Sequence, residues 1–93
     1  MTDHEIMLKA ANCERLLNDV YLKEALEGVE LAAVDIWKNS ATGEQDKRES
    51  AYRTVFAVRA LRAQLQTYFD AGKILKARNE DTNGPQPEAG NLA

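Results

Sequence analysis

The chain has 93 residues, 44% of them hydrophobic and 29% charged, with a formal net charge of −3. That length holds one small domain in which about 60–65% of the unfolded surface can be buried, and it excludes a second core. Cys13 is the single cysteine, which excludes an internal disulfide framework, and no apolar run approaches the roughly 18 residues of a membrane span.

The first helix is predicted to begin after Thr2 or Asp3, where Thr2 and Glu5 have the spacing of a capping box, and to run to Leu17 with Ile6, Ala10, Cys13 and Leu17 on one face. Asn18-Asp19 then supplies a break and a new N-cap, and a second helix follows to Asn39. Its seam is Leu22, Leu26, Val29, Ala33 and Ile36, alternating four and three residues as packing against an antiparallel neighbour requires. Asn39 to Gly43 reads as a turn, with Thr42 and Gln45 spaced for another capping box. The third helix is expected from Glu44 to Ala71, with Gly72 as the C′ residue that ends it. Its seam is Ala51, Val55, Val58, Leu61 or Arg62, Leu65 and Phe69.

Facing positions of an antiparallel pair have a constant sum of residue numbers, and Ile36 with Ala51, Val29 with Val58, Leu26 with Leu61 and Leu22 with Leu65 each add to 87. The predicted fold is therefore all-α: an antiparallel hairpin of two long helices, a shorter N-terminal helix and a disordered C-terminal tail. The helical domain covers residues 1–78 and the tail 79–93, where two prolines, two glycines and few large apolar residues occur. The overhanging end of the third helix leaves Tyr68, Phe69, Ile74 and Leu75 needing cover, for which Leu16 and Leu17 are the nearest candidates.

Charge is sorted along the chain. Up to Asp46 there are ten acids against Lys9, Arg15, Lys23 and Lys38, whereas from Lys47 to Arg78 eight bases face only Glu49 and Asp70. Such a reversal suggests head-to-tail assembly, a basic surface for an anionic partner, or charge matching inside the hairpin. Arg48, Arg59, Arg62 and Lys73 fall along one flank of the third helix, beside its apolar seam, where long side chains either snorkel over a core or bind an anionic partner. Glu24, Glu27 and Asp35 point away from the seam of the second helix and are not expected to reach those bases within one hairpin. Leu31 and Val34 lie on the outward side of the second helix and Trp37 at its edge, so these three join Arg48, Arg59, Arg62 and Lys73 as candidate partner-binding residues. Tyr21, Ala25, Gly28 and Ala32 form a narrow face of mostly small residues, suited to close approach of another helix or tolerated there by a helix its neighbours hold.

Catalytic chemistry finds little footing. His4 is the only histidine and lies near a chain end, no serine or cysteine has an evident base, and the spacing of His4 and Cys13 matches no zinc motif. Cys13 reads as a small buried apolar residue. The glycines are scattered, with no phosphate-cradling loop. No catalytic, cofactor or metal residue is assigned, and no cofactor is expected. The first residues lack the basic and apolar regions of a secretory signal, which makes the cytoplasm the expected location.

The stretch Arg15-Leu-Leu-Asn-Asp-Val-Tyr-Leu-Lys-Glu-Ala-Leu-Glu27, then Trp37, then Ala57-Val-Arg-Ala-Leu-Arg-Ala-Gln-Leu-Gln-Thr-Tyr-Phe-Asp-Ala-Gly-Lys73, resembles small α-helical proteins encoded in tailed-phage and prophage gene clusters for head assembly and DNA packaging. The resemblance covers residues 10–75 and carries over no catalytic position. It implies a non-enzymatic interaction protein, a structural or assembly factor located in the host cytoplasm or the virion. The expected partners are another protein or a second copy of the chain. The alternative is a nucleic-acid-binding or DNA-packaging regulatory module that uses the basic flank and Lys76, although no helix-turn-helix or interleaved stacking aromatics support it. A small regulator that inhibits a host protein is a third reading, with no distinctive sequence mark.

Overall fold

The computed structural model describes residues 1–83 as three helices: α1 (Asp3–Leu17), α2 (Val20–Asn39) and α3 (Gln45–Asn83). The start of α1 is fixed by the Thr2–Glu5 box. The Glu5 N–H donates to the Thr2 hydroxyl at 3.1 Å and the Thr2 N–H donates to the Glu5 carboxylate at 2.7 Å, so two of the unpaired donors at the helix start are satisfied reciprocally. Asp19 caps α2 by a single, unreciprocated bond, its carboxylate accepting from the Leu22 N–H at 2.8 Å.

The α2–α3 turn is closed differently from the sequence expectation. The first backbone bond of α3 runs from the Arg48 N–H to the Glu44 carbonyl, so Glu44 occupies the cap position and the Thr42–Gln45 box does not form. Glu44 instead reaches back to accept from the Ala41 N–H at 2.8 Å. Arg48 folds over the same turn, its guanidinium donating to the carbonyls of Ala41 at 2.7 Å and Thr42 at 3.2 Å. A forked, permanently charged donor matches two neighbouring carbonyls better than a short hydroxyl can.

Gly72 does not end α3. The helix runs through it and through the domain boundary expected at residue 78, reaching Asn83 for a total of 39 residues, about 58 Å at 1.5 Å per residue. Residues 79–83 of the expected tail are thus helical, and the rest of that stretch lies outside the described residues. Gly72 has no positive φ, so its backbone does not need glycine. Space does: a Cβ built on Gly72 would overlap the Cβ of Ala10 on α1. Glycine here lets two helices approach, and its modest cost in helix propensity is offset by burial of Ala10, Cys13 and Leu75 around it.

α3 is thus a spine carrying α2 on its first half and α1 on its second, while α1 and α2 touch little beyond their elbow. On the α2 half the inner residues are Ala33, Ala51 and Val58, all buried. Ile36 and Ala51 line one groove, as their predicted pairing requires, and Leu22 shares another with Leu65. The predicted partnership of Leu26 with Leu61 gives way to Arg62, because Leu61 is turned outward at 48% exposure and the Arg62 stem joins the groove of Leu22, Leu26 and Leu65. On the other half all of α1, rather than Leu16 and Leu17, covers the overhang. Lys9 lies 4.4 Å from the centre of the Tyr68 ring, Leu75 is buried, and Ile74 stays 60% exposed. Leu16 and Leu17 instead close the elbow groove of about 410 Å³ with Leu22, Leu26 and Leu65.

Gly28 presents the opposite case to Gly72. A Cβ there meets nothing within 4 Å, so none of the described helices packs against α2 at Gly28. Gly28→Ala is expected to raise stability by about 1 kcal/mol, whereas Gly72→Ala forces α1 off the spine and lowers it by about 1–3 kcal/mol. Thermal melts followed by far-UV circular dichroism give both signs.

Hydrogen bonds from Thr2, backbone first and then hydroxyl, hold the Glu5 carboxyl below its usual range. The bond from Lys47, followed by that from the Ala41 N–H, does the same for Glu44. A depressed folded-state pKa means stability that is present above the unfolded carboxylate value, about 4.3, and is lost as pH falls through the folded values. Acid titration of helicity is expected to be shallower for Glu5→Gln combined with Glu44→Gln than for the parent chain.

Candidate interaction surface

No large side chain among the described residues is fully buried, and the core consists of Ala10, Cys13, Ala33, Ala51, Val58 and Leu75. Large apolar groups are left outside: Leu31 is 62% exposed, Trp37 55%, Tyr52 67% and Phe56 64%. This chain therefore keeps its small residues inside and several of its largest outside, the inverse of the usual distribution.

The seven candidate residues fall into distinct settings. Leu31 stands on the outer side of α2, as its helical position requires. Val34 does not; it is half-buried and lines a cleft with Trp37, Ala51, Tyr52, Val55 and Arg59. Trp37 forms the wall between that cleft and a second one bounded by Gln45, Arg48, Glu49, Tyr52 and Arg53 at the start of α3. Trp37 and Tyr52 thus mark the turn end of the molecule as an aromatic edge.

The basic flank is not a free stripe. Arg48 is spent on the turn carbonyls. Arg59 and Arg62 both reach across to Glu30 on α2, at 3.1 and 3.5 Å respectively. The expectation for Glu24, Glu27 and Asp35 does not extend to Glu30, which is the acid of α2 that neutralises both arginines within one chain. Glu30 sits four residues before Val34, at the margin of the seam, and its side chain is only 18% exposed. One of its oxygens, Oε1, has no hydrogen bond, although the Arg62 guanidinium lies beside it at ion-pair distance. Lys73 lies 3.7 Å from Asp70 and 4.7 Å from the centre of the Phe69 ring. Charge matching between α2 and α3 is real but local: it occupies Arg59 and Arg62, while Arg48 is held by turn carbonyls and Lys73 lies beside an acid of its own helix.

Two features escaped the sequence reading. Glu30 was hidden among acids that do point outward, and its seam-edge position was its only mark. The outer stripe of α3, with Tyr52 and Phe56 leading to Ala60, Ala63, Thr67 and Ile74, is a second helical face, with steps of four, four, three, four and seven residues, that the stronger inner seam obscured. By contrast, Glu24, Glu27 and Asp35 form no ion pair within the described chain, as their outward placement predicted.

Among the described residues no group of His, Cys, Asp and Glu is placed to hold a metal ion, and no helix is long and apolar enough to cross a membrane. Comparison with protein-family models, with curated proteins and with solved structures gives no match to the chain.

The Glu30 cluster has a direct test. Glu30→Ala leaves two arginines without their acid and is expected to cost about 1 kcal/mol, the scale of a partly exposed pair, with the loss shrinking as salt is added. Denaturant unfolding of Glu30→Ala, Arg59→Ala and the double variant should show a coupling of the same order, and no coupling would mean the contact contributes nothing.

Proposed function

We propose that this chain is a non-enzymatic helical interaction protein that acts through helix–helix contacts, and that its setting is the head-assembly and DNA-packaging apparatus of a tailed phage or prophage. The observation that carries the first part is the mismatch between core and surface: a core mainly of alanine-sized residues beneath exposed Leu31, Trp37, Tyr52 and Phe56. A hairpin built this way buries too little for its length and gains stability when another helical surface covers it. The setting rests on the resemblance of residues 10–75. The charged and aromatic turn end, with Trp37 and Tyr52, is the second surface available to such a partner, since aromatic anchors flanked by polar groups are the usual centres of binding energy.

The nucleic-acid alternative is the weaker reading, because Arg48, Arg59, Arg62 and Lys73 already have acidic or carbonyl partners in the folded chain. Phosphate contacts would have to displace those partners first.

Co-purification of the full chain with capsid, portal and terminase components, one at a time, tests the proposal. Retention of one component, reduced at least tenfold by Trp37→Ala or Leu31→Asn, is the expected result. A chain that retains none of them and remains monomeric would remove the assembly reading.

A further inference from the structure

The two longer helices carry complementary outer faces. Leu31 lies two residues before the buried Ala33, and Phe56 two residues before the buried Val58. Two residues turn an α-helix by about 200°, so each exposed side chain stands almost opposite its own core residue. The hairpin therefore has an apolar knob on both outer edges, Leu31 at 62% exposure on α2 and Phe56 at 64% on α3.

The charges around the knobs are of opposite sign. Leu31 is flanked by Glu27 and Asp35, four residues to either side, with Glu24 one turn further back. Phe56 is flanked by Arg53 and Arg59, three residues to either side. Both arginines keep exposed side chains, at 76% and 68% respectively, although Arg53 lies 3.8 Å from Glu49 and Arg59 3.1 Å from Glu30 in the same chain, so each would share its charge with a second acid. Glu24, Glu27 and Asp35 have no ion pair among the described residues.

We infer that the α2 outer face of one copy docks on the α3 outer face of the next, with Leu31 against Phe56 and the two helices antiparallel. In that alignment Asp35 meets Arg53, Glu27 meets Arg59, and Lys38 meets Glu49, three contacts of opposite sign on matching flanks. The parallel alignment is worse. It still brings the two acids to the two arginines, but it sets Glu24 against Glu49 and leaves Lys38 facing Ala63.

Because the two faces lie on opposite edges of the same hairpin, the contact is heterologous. Each copy uses one edge on each neighbour, so the association continues into a row that ends only by closing into a ring. The register is that of the chain's own α2–α3 pair, since Leu31 and Phe56 have the same number sum as Leu22 and Leu65 in their shared groove. Neighbouring copies consequently stand side by side at one height and in one orientation. This inference rests on the proposed interaction role and names its first partner, a second copy of the chain.

Solution masses from sedimentation of the full chain decide it. The parent chain is expected to exceed the mass of a dimer, and its mass to fall on adding salt, since rim ion pairs are screened. Leu31→Asn and Phe56→Asn, both at exposed sites, should each give monomers of unchanged helicity. An equimolar mixture of these two variants should recover a species of two chains, because each supplies the face the other lacks. Asp35→Arg and Arg53→Asp should each lower the mass, and the two changes together should restore it. A mixture that stays monomeric, or a Phe56→Asn effect with none from Leu31→Asn, would overturn the head-to-tail contact while leaving an interaction role standing. A parent chain that is monomeric at every concentration would overturn it outright, leaving the co-purification result to judge the wider reading.

Discussion

The arrangement depends on one close approach, between Gly72 of α3 and Ala10 of α1. Without it the second half of the spine would have nothing to pack against. The N-terminal helix could not sit low enough to bury Cys13 and Leu75, and Tyr68 and Phe69 would lose their cover. A residue without a side chain thus determines where the first helix lies, and that position leaves the outer edge of α3 open. The same economy recurs in the α2 half, where Ala33 and Ala51 bring the backbones together and the larger side chains are displaced outward. Small residues at the contacts and large ones at the margins are two aspects of one packing solution.

Much of this was legible in the sequence. The Thr2–Glu5 box, the Asp19 cap and the end of α2 at Asn39 follow from local chemistry, in which the hydrogen-bonding groups lie within a few residues of one another. The misplaced end of α3 has a physical cause. A glycine after an amphipathic run means either a helix end or a close neighbour, and only the position of Ala10, more than sixty residues away, separates the two. The Thr42 cap failed for a related reason. Arg48 competes for the turn from a distance of six or seven residues, beyond the range over which capping patterns are read.

The charge reversal was visible at once, but its meaning required geometry. One acid of α2 turns inward to hold two arginines and three turn outward, a division decided by about 100° of helical rotation per residue. Summing charge over a segment merges these roles. Placing it around the helix axis separates a bond that holds the hairpin together from a pattern directed at its surroundings, and the second of these distinguishes one edge of the molecule from the other.

The sparse contact between α1 and α2 has a consequence for how the molecule opens. Each is held almost entirely by its own stretch of the spine, with the Asn18-Asp19 elbow as the one covalent link between them. Detaching the first helix would expose Cys13 and Leu75 but leave the Glu30 cluster and the Arg48-braced turn untouched. Amide protons of the two halves should then exchange with solvent through separate events of different free energy. The chain behaves less like a single cooperative block than like two latches mounted on one bar.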